Sequence, residues 1–269
     1  MDFVAGHALV SGKNAMNNPW LSIVTVTKDD PAGLERTLAS TAAWLEGPAV
    51  EQIVIDASVP PAAVGNPVVR VARQQSHGIA AAFNEGLQAA KGEWVWFLNG
   101  GDRVDARLTP EFLLTLLGRT TADVMVGGTI YEEEAEPRPH LPPNMRWPPL
   151  HAWIPHPSTV VRRRLFERFG VFDATYSIVM DYEWWLRALS ADVPVDVLSV
   201  PFAVFARDGI SQQIEFRKKL VREQGDVIRR YQLRLWRAWI LSGCRLLRVW
   251  LAAIFVRRIS KPSDPAVEP

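Results

Sequence analysis

Residues 93–102 read EWVWFLNGGD, an apolar run that passes directly into a polar turn containing two glycines. Large apolar side chains without alternating polar ones are typical of a strand buried on both faces of a parallel sheet. The turn ends in Asp102, so a carboxylate follows the carboxyl end of this strand. Ligands of open α/β sheets bind at that edge. The segment therefore predicts both the fold class and the place of its site.

The segments upstream repeat this arrangement of strand, acid and helix. The sequence predicts strands at residues 20–27, 52–55, 68–72 and 93–98, and helices at residues 32–45 and 78–91. Asp30 followed by Pro31 is the expected cap and first residue of the first helix. Strands that alternate with helices form βαβ units. We expect a mostly parallel central sheet flanked by helices, with Asp29, Asp56 and Asp102 at one edge.

The second half of the chain has a more mixed pattern. It predicts helices at residues 110–117 and 179–189, and strands at residues 123–131, 158–161, 195–199 and 202–205. A long loop at residues 132–149, acidic and then proline-rich, separates the helix at 110–117 and the strand at 123–131 from the later elements. The expected organisation is an N-terminal extension (1–19), an α/β domain (20–211), a basic amphipathic helical tail (212–258) and a disordered C-terminus (259–269).

Charge is distributed unevenly between the body and the tail. Residues 217–258 contain twelve Lys and Arg against two Asp and Glu, whereas residues 1–216 contain seventeen basic and twenty-five acidic residues. An acidic body argues against nucleic-acid binding. In the tail, tryptophan and aliphatic residues are interspersed with arginine, as in a helix that lies on an anionic membrane surface. The alternative is an amphipathic helix packed on the body or on a partner subunit.

The compartment is indicated by features that the sequence lacks. The single cysteine, Cys244, cannot form an internal disulfide. Residues 1–19 show no secretory signal, and no run of eighteen uncharged apolar residues occurs. We therefore expect a cytoplasmic protein that is peripheral on the inner face of the cell membrane.

Acids at the ends of neighbouring strands suit the binding of a divalent cation and a sugar nucleotide. Oxygen atoms are the ligands that Mg²⁺ and Mn²⁺ prefer, and Mg²⁺ is often held by one or two carboxylates together with substrate phosphates. Such a metal offsets the charge on a departing diphosphate. The alternative for each acid is a solvated turn residue or a helix cap.

Four blocks of the chain, in order, resemble family 2 glycosyltransferases of the GT-A fold. They are residues 22–27 with Asp29, the strand that ends at Asp56, residues 77–102 (HGIAAAFNEGLQAAKGEWVWFLNGGD) and residues 156–188 (HPSTVVRRRLFERFGVFDATYSIVMDYEWWLRA). The resemblance covers about residues 20 to 211 and is strongest to enzymes that build bacterial exopolysaccharide, capsule or lipopolysaccharide. It implies sugar transfer, with inversion, from a nucleotide-diphosphate sugar to a hydroxyl of a glycan acceptor, and we expect this acceptor to be lipid-linked.

The resemblance also assigns roles at the donor side. Donor binding falls to Asp29, Asp56, Asn84, Asn99 and Asp102. Asp102 would bind Mg²⁺ or Mn²⁺. The Asp-x-Asp of many family members is Asn99-Gly100-Gly101 here, so Asn99 offers a carbonyl oxygen without charge and Asp102 would act nearly alone. The family's turn after Asp56 is also replaced, which leaves the nucleotide unidentified.

At the acceptor side, inverting transfer requires a carboxylate that takes the proton of the attacking hydroxyl. The resemblance aligns the family's catalytic acid with Asp181. Glu183, the second choice, would point about 200° away on a helix, so the two cannot share one site. His156, Glu183 and Arg207 are placed near the acceptor or the diphosphate. From the residues alone, the alternative for Asp181 is the N-cap or first-turn acid of its helix, and the alternative for His156 is a structural hydrogen-bonding residue.

Two other functions are compatible with this pattern. A sugar nucleotidyltransferase shares the architecture but usually has a glycine-rich triphosphate loop after the first strand, which residues 28–31 do not contain. Because the Asp-x-Asp is incomplete, a non-catalytic, membrane-docking scaffold is the second alternative. Trp184 and Trp185 are candidates for a sugar-stacking platform, with at least one of them expected in the core.

Overall fold

The structure is a computed structural model that describes residues 18–132, 139–140, 154–189, 191, 193–205 and 218–231. Within these residues the strands are β1 Leu21–Thr27, β2 Val50–Asp56, β3 Arg70–Arg73, β4 Trp94–Asn99, β5 Arg103–Val104, β6 Val124–Tyr131, β7 Thr159–Arg162 and β8 Val195–Phe205. The helices are α1 Pro31–Thr41, α2 Ile79–Ala89, α3 Pro110–Arg119, α4 Arg164–Phe169, α5 Met180–Leu189 and α6, residues 218–231. Short 3-10 turns cover Ala42–Leu45 and His156–Ser158.

The eight strands form one sheet in the order β3-β2-β1-β4-β7-β6-β8-β5. Strands β3, β2, β1 and β4 are mutually parallel, and β6 is parallel to β8. Only β7 and β5 run against their neighbours. The prediction of a mostly parallel α/β sheet flanked by helices is therefore confirmed.

Local sequence explains how the first two helices form and dock. The Asp30 side chain accepts a hydrogen bond from the backbone N–H of Gly33 at 2.8 Å, and Pro31 begins α1, as predicted. In α2, a Cβ atom at Gly86 would lie 2.2 Å from Cγ1 of Val24 on β1. Only glycine fits there, since the helix axis lies so close to the strand. The absent side chain thus sets the distance between α2 and the sheet.

Apolar side chains cover both faces of the sheet. On one face, Val24, Ile55 and Phe97 pack against α2, α4 and α5. On the other face, Trp94, Trp96 and Leu98 of β4 pack against residues of α1 and α3 such as Leu34 and Leu113. Because β4 is apolar on both sides, its continuous hydrophobic run had to be a central strand.

The structure corrects several predicted boundaries. The two strands predicted at 195–199 and 202–205 are one strand, β8, which pairs with β6 through an irregular register near Gly128. The helix predicted at 32–45 ends at Thr41 and continues as a 3-10 turn. The third strand lies at Arg70–Arg73 rather than 68–72, and the short elements β5 and α4 were not predicted.

Part of the predicted tail is described and is helical. Helix α6 packs on α5 through an apolar cluster of Val179, Tyr182, Leu186, Val227 and Tyr231. Of the helices in the described ranges, none has the length and apolar character needed to span a bilayer. The N-terminal extension up to residue 17, Arg207 and the tail beyond residue 231 lie outside the described residues.

Candidate active site

Three neighbouring parallel strands end together at one edge of the sheet. Thr27 at the end of β1 is in register with Asp56 at the end of β2, and Val26 is in register with Asn99 at the end of β4. The turns that follow these strands carry Asp29 and Asp102. The fold therefore brings all four predicted donor residues of the strand ends to one edge, which we call the donor edge.

Asp56 is fully buried and its carboxylate holds the loop that follows β2. It accepts hydrogen bonds from the backbone N–H groups of Ser58 at 2.8 Å and Ala62 at 2.9 Å, and from Nη1 of Arg73 at 2.5 Å. Burial alone would raise the pKa of Asp56, but the hydrogen bonds from Ser58, Ala62 and Arg73 outweigh burial and lower it. Asp56 is thus ionised at neutral pH and fixes the conformation of this loop.

Asp29 is exposed and is tied to the same loop. Its backbone N–H donates to the hydroxyl of Ser58 at 2.8 Å, and its carboxylate accepts from the backbone N–H of Val59 at 2.9 Å. Its φ angle of 53° is left-handed, which is uncommon for a residue other than glycine. This conformation turns the chain from β1 into α1 and leaves an exposed carboxylate beside the loop of Asp56.

The turn after β4 is a closed network around Asp102, whose side chain is buried. One carboxylate oxygen, Oδ2, accepts from both the backbone N–H and the side-chain amide of Asn99, each at 3.0 Å. The hydroxyl of Thr37 on α1 donates to the carbonyl of Asp102 at 2.7 Å and accepts from the N–H of Gly101 at 2.9 Å. Gly101 has a φ of 110°, so the turn needs glycine at this position. Helix α1 therefore fixes the turn.

The polar atoms of this turn fit a divalent cation bound together with substrate phosphates. The amide oxygen Oδ1 of Asn99 is buried and has no hydrogen-bond partner among the described residues. The nitrogen of the same amide donates to the carboxylate of Asp102, and Mg²⁺ commonly uses few protein oxygens and completes its shell with phosphate and water. No group of three His, Cys, Asp or Glu side chains in the described ranges has the arrangement of a metal site. The donor set is accordingly one carboxylate and one amide oxygen.

Asn84 is placed differently from the other predicted donor residues. It lies on α2, where its amide donates to the carbonyl of Phe172 at 2.9 Å and its amide oxygen accepts from the N–H of Phe172 at 3.0 Å. This pair of bonds fastens the segment before α5 onto α2. In the described structure Asn84 acts as a tether, and its assignment to donor binding stays a prediction.

His156 lies in an aromatic cluster next to the donor edge. Its ring stacks on Phe97 with centroids 5.3 Å apart, and it contacts Phe83 and Phe172 edge-on. Phe97 precedes Asn99 by two residues on the same face of β4. Burial lowers the pKa of His156 to about 4, so the ring is neutral at physiological pH, and its Nε2 has no partner among the described residues. A neutral imidazole can exchange hydrogen bonds with a substrate but brings no charge.

Asp181 lies in the first turn of α5 and is 7% exposed. One turn further on, Trp184 packs against Phe172, which also contacts His156. The aromatic cluster therefore connects the helix of Asp181 to the donor edge. Burial raises the pKa of Asp181 to about 6, although the backbone N–H of Tyr182, 2.7 Å from its Oδ1, opposes that rise. A carboxyl group of this kind can both accept and release a proton near neutral pH.

Glu183 is directed away, toward α6. It is 1% exposed, forms an ion pair with Arg187 at 2.8 Å and accepts a short hydrogen bond from the hydroxyl of Tyr231. One carboxylate oxygen of Glu183 therefore pairs with Arg187 on α5 itself, and the other binds Tyr231 on α6. The helical geometry expected from the sequence, with Asp181 and Glu183 on different sides, agrees with these contacts.

The two tryptophans after Glu183 belong to the core. Trp184 is fully buried, stacks on Phe166 with centroids 4.3 Å apart, and donates from Nε1 to the carbonyl of Gly170 at 2.8 Å. Trp185 is 5% exposed and packs in the same cluster. The idea of a sugar-stacking platform made by these side chains is therefore wrong, because neither offers an exposed ring face.

Sequence reasoning missed residues that complete the site. Thr37 orders the turn of Asp102, and Arg73 pairs with Asp56 while remaining half-exposed. The hydroxyl of Thr27 is buried at the donor edge without a partner among the described residues. A threonine inside an amphipathic helix carries no signal of its role. Only the folded contacts reveal it.

A sheet of this strand order, with acids at the ends of β1, β2 and β4 and a further buried acid at the start of α5, defines a GT-A glycosyltransferase. The model of glycosyl transferase family 2 matches residues 22–182, more than half of the chain. The protein belongs to this family. The recognition made from the four sequence blocks is therefore confirmed.

Relatives and solved structures agree with this assignment. The chain is 26% identical over 230 residues to the uncharacterized glycosyltransferase Rv1514c of Mycobacterium tuberculosis, covering 79% of this chain and 86% of that protein. Its fold is similar to that of Staphylococcus aureus TarS 1–349 in complex with UDP-GlcNAc, with a TM-score of 0.58, 16% identity, and coverage of 79% of this chain and 66% of that one. It is also similar to the mannosyltransferase PcManGT of Pyrobaculum calidifontis in complex with GDP-Man and Mn²⁺, with a TM-score of 0.52, 16% identity, and coverage of 71% and 59%. The chain thus spans less than two thirds of either solved structure.

Proposed function

We propose that this glycosyltransferase transfers a sugar, with inversion, from a nucleotide-diphosphate sugar to a hydroxyl group of a glycan acceptor. The observation that carries the proposal is the edge at which β2, β1 and β4 end, because it places Asp29, Asp56, Asn99 and Asp102 within adjacent turns. An open α/β sheet binds its ligand at such an edge. The donor would lie across these turns.

Asp102 and Asn99 would hold a divalent cation at the diphosphate. When bound, the cation supplies positive charge that offsets the negative charge developing on the departing diphosphate. The remaining donor contacts would come from protein groups: the loop held by Asp56 offers backbone groups, and Arg73 at the end of β3 has a side chain that is 43% exposed. That loop would accommodate the nucleoside.

Asp181 is the proposed general base. Its carboxylate would take the proton of the acceptor hydroxyl while the hydroxyl oxygen forms a bond to the anomeric carbon and the bond from that carbon to the diphosphate breaks. The apolar surroundings that raise the pKa of Asp181 to about 6 make it a stronger base than an exposed aspartate, yet leave it largely ionised at pH 7. Attack from the face opposite the leaving group inverts the configuration.

The acceptor is proposed to be lipid-linked, in the synthesis of a cell-surface polysaccharide. The basic, tryptophan-containing tail at 217–258 supports this proposal, because such a segment binds anionic membrane surfaces. Fold neighbours that bind UDP-GlcNAc and GDP-Man support a nucleotide-sugar donor. Binding at the inner face of the membrane would place the enzyme where lipid-linked acceptors are located.

A donor screen tests the function directly. The full-length protein is incubated with UDP-, GDP- and dTDP-sugars, with and without Mn²⁺, while thermal unfolding and release of nucleoside diphosphate are both measured. A ligand that binds only the folded state raises the unfolding temperature. We expect one nucleotide class to raise it and to be hydrolysed slowly without acceptor.

The same screen separates the alternatives. A non-catalytic scaffold would release no nucleoside diphosphate from any donor. A sugar nucleotidyltransferase would instead consume a nucleoside triphosphate and a sugar phosphate and release pyrophosphate. Either result would refute the proposed transfer reaction.

A further inference from the structure

Helix α6 contributes a buried carboxylate to the start of α5. Glu223 is 6% exposed, and its carboxylate accepts hydrogen bonds from the backbone N–H of Ile178 at 2.9 Å and from the hydroxyl of Ser177 at 2.8 Å. The backbone N–H groups of Ser177 and Val179 also donate to it, at 3.2 Å and 3.3 Å. One side chain therefore binds three successive amides.

These amides belong to the turn that leads into α5. A buried backbone N–H without an acceptor is costly, so the carboxylate of Glu223 stabilises the conformation of this turn. Residues 177–179 immediately precede Met180, the first residue of α5. Glu223 therefore anchors the turn that enters α5, although it lies 44 residues further along the chain than Val179.

Other contacts hold α6 in place for this role. Arg230 pairs with Asp173 at 2.9 Å, and the hydroxyl of Tyr231 donates to Glu183. Val227 is fully buried in the apolar cluster between the two helices. These contacts fix the part of α6 that follows Glu223 and thereby hold its carboxylate in position.

We propose that Glu223 is a positioning residue of the transferase, which fixes the start of α5 and with it the carboxyl group of Asp181. This inference rests on the proposed function of Asp181 as the base. It extends the catalytic unit beyond residue 182, where the family match ends. On this view α6 is part of the active-site framework as well as the link to the tail.

An electrostatic consequence follows from the charge of Glu223. The start of a helix carries partial positive charge, which would favour ionisation of an acid in the first turn such as Asp181. Burial raises the pKa of Glu223, but its hydrogen bonds from Ile178, Ser177 and Val179 outweigh burial and lower it, so Glu223 is ionised and offsets that positive charge. Removing the charge should therefore lower the pKa of Asp181.

The other titratable or charged groups near the start of α5 come from four elements: Tyr182, Glu183 and Arg187 on α5, Arg230 and Tyr231 on α6, Asp173 and Tyr176 in the preceding segment, and His156 in the aromatic cluster. Glu183 is balanced by Arg187, and Asp173 by Arg230. His156 is neutral. Glu223 is thus the remaining negative charge in this set, and its removal should change the electrostatic potential at the start of α5.

The test is a carbon-13 NMR titration of the Asp181 carboxyl group in the full-length protein, with the resonance assigned by its loss in Asp181→Asn. In Glu223→Gln we expect the midpoint to fall by about 0.5 to 1 pH unit, and amide hydrogen exchange at residues 177–179 to become faster. The matched control is Asp226→Asn, the same charge change on a half-exposed position of α6 that pairs only with the neighbouring Arg229 among the described residues. The control should leave both readouts unchanged.

Glu223→Asp is a milder variant that keeps the charge and shortens the side chain. It should quicken amide exchange while moving the midpoint less than Glu223→Gln does. An unchanged midpoint and unchanged exchange in Glu223→Gln, or an equal fall in Asp226→Asn, would overturn the positioning role. If Glu223→Gln does not fold, unchanged exchange in Glu223→Asp would overturn it.

Transfer assays on the same variants separate this inference from the function beneath it. With the donor found by the screen, Glu223→Gln should lower kcat about three-fold at pH 7 and leave the KM for the donor unchanged, because a weaker base slows proton removal. A fully active Asp181→Asn would refute the base itself. An inactive Asp181→Asn together with wild-type titration in Glu223→Gln would refute only the role of Glu223.

Discussion

The acids of the donor edge and the acid at the start of α5 are in opposite environments. Asp56 is buried, but hydrogen bonds from two backbone amides and Arg73 lower its pKa. Asp181 is buried, accepts hydrogen bonds only from backbone N–H groups among the described residues, and burial raises its pKa to about 6. At Asp56 the hydrogen bonds, including that from Arg73, outweigh burial and keep the acid charged, whereas at Asp181 burial outweighs the hydrogen bonds and lets the acid exchange a proton near neutral pH.

This contrast separates two tasks that acids perform in one enzyme. At the donor edge, the ionised Asp56 orders the loop after β2, and Asp102 would hold a cation beside the phosphates. At α5, a carboxyl group that titrates near neutral pH is suited to proton transfer. Substitutions that remove one of these carboxylates show, by the change in turnover or stability, what each environment contributes.

The largest effect is expected for Asp181→Asn in the transfer reaction. The amide cannot take a proton, so kcat should fall by roughly 10² to 10⁴, while donor affinity, measured by calorimetry, should stay nearly unchanged. The matched control is Glu183→Gln, which keeps an acceptor for Tyr231 but loses the charge that pairs with Arg187.

The control distinguishes the two acids of α5. Glu183→Gln should lower the unfolding temperature and retain most of the turnover per folded molecule. An inactive Glu183→Gln beside an active Asp181→Asn would reverse the assignment of the base and, with it, the contrast between the two regions.

Asp56→Ala is expected to have the next largest effect, on stability. The change leaves two buried amides without an acceptor and Arg73 without its partner, which should cost about 3 kcal/mol. Because the folded-state pKa of Asp56 lies below 3.8, its contribution is complete above that pH and is lost as the pH falls through the folded-state value. Urea denaturation at pH 7 and pH 3 measures both effects.

Asp30→Ala provides the comparison at the same edge. It removes a helix cap with a single hydrogen bond to Gly33, and the expected cost is about 1 kcal/mol. Equal losses in Asp30→Ala and Asp56→Ala would contradict the claim that Asp56 organises its loop through several bonds.

Asp181→Asn should also change stability, in the opposite direction. The folded-state pKa of Asp181 is raised, so the carboxyl group favours folding fully below pH 3.8, and this advantage is lost as the pH rises through about 6. The neutral amide avoids that loss and should be more stable than the wild type by on the order of 2 kcal/mol at pH 8, with no difference near pH 3.5. A less stable variant at pH 8 would mean that the carboxylate is not destabilised by burial.

The sequence predicted the donor edge better than the surroundings of Asp181. Strands β1, β2 and β4 are continuous apolar runs followed by acids, so the strands and the location of Asp56 and Asp102 at their ends follow from local pattern. The network of Thr37 with the turn of Asp102 joins residues 65 apart in sequence, and no local pattern announces it.

The start of α5 was predicted in position but not in environment. The family resemblance places Asp181 on a helix, yet Trp184 and Trp185 are read equally well as core or as a binding platform until the packing is known. The contacts from Glu223 come from a segment whose basic composition favoured membrane binding, with packing on the body or on a partner as the alternative. Long-range contacts of this kind are determined by tertiary packing and leave no periodic signal.

The smallest predicted effect concerns Asn99, where the family's second acid is missing. In Asn99→Asp a hydrogen-bond donor to Oδ2 of Asp102 becomes a second carboxylate at about the same 3.0 Å. Like charges at this distance disfavour joint ionisation, so the variant should lose about 1 kcal/mol of stability without metal. Because two carboxylates form a better site for a divalent cation, millimolar Mn²⁺ should raise its unfolding temperature more than that of the wild type.

Asn84→Asp makes the same chemical change away from Asp102. It loses the amide that donates to the carbonyl of Phe172 and should be destabilised as well, but Mn²⁺ should not restore it, because no carboxylate from the donor edge faces it in its described contacts. Equal rescue of both variants by Mn²⁺ would show nonspecific binding to added charge. Rescue of Asn99→Asp alone would show that the turn of Asp102 is a cation site that lacks one ligand charge, so that the donor edge depends on substrate phosphates to complete it.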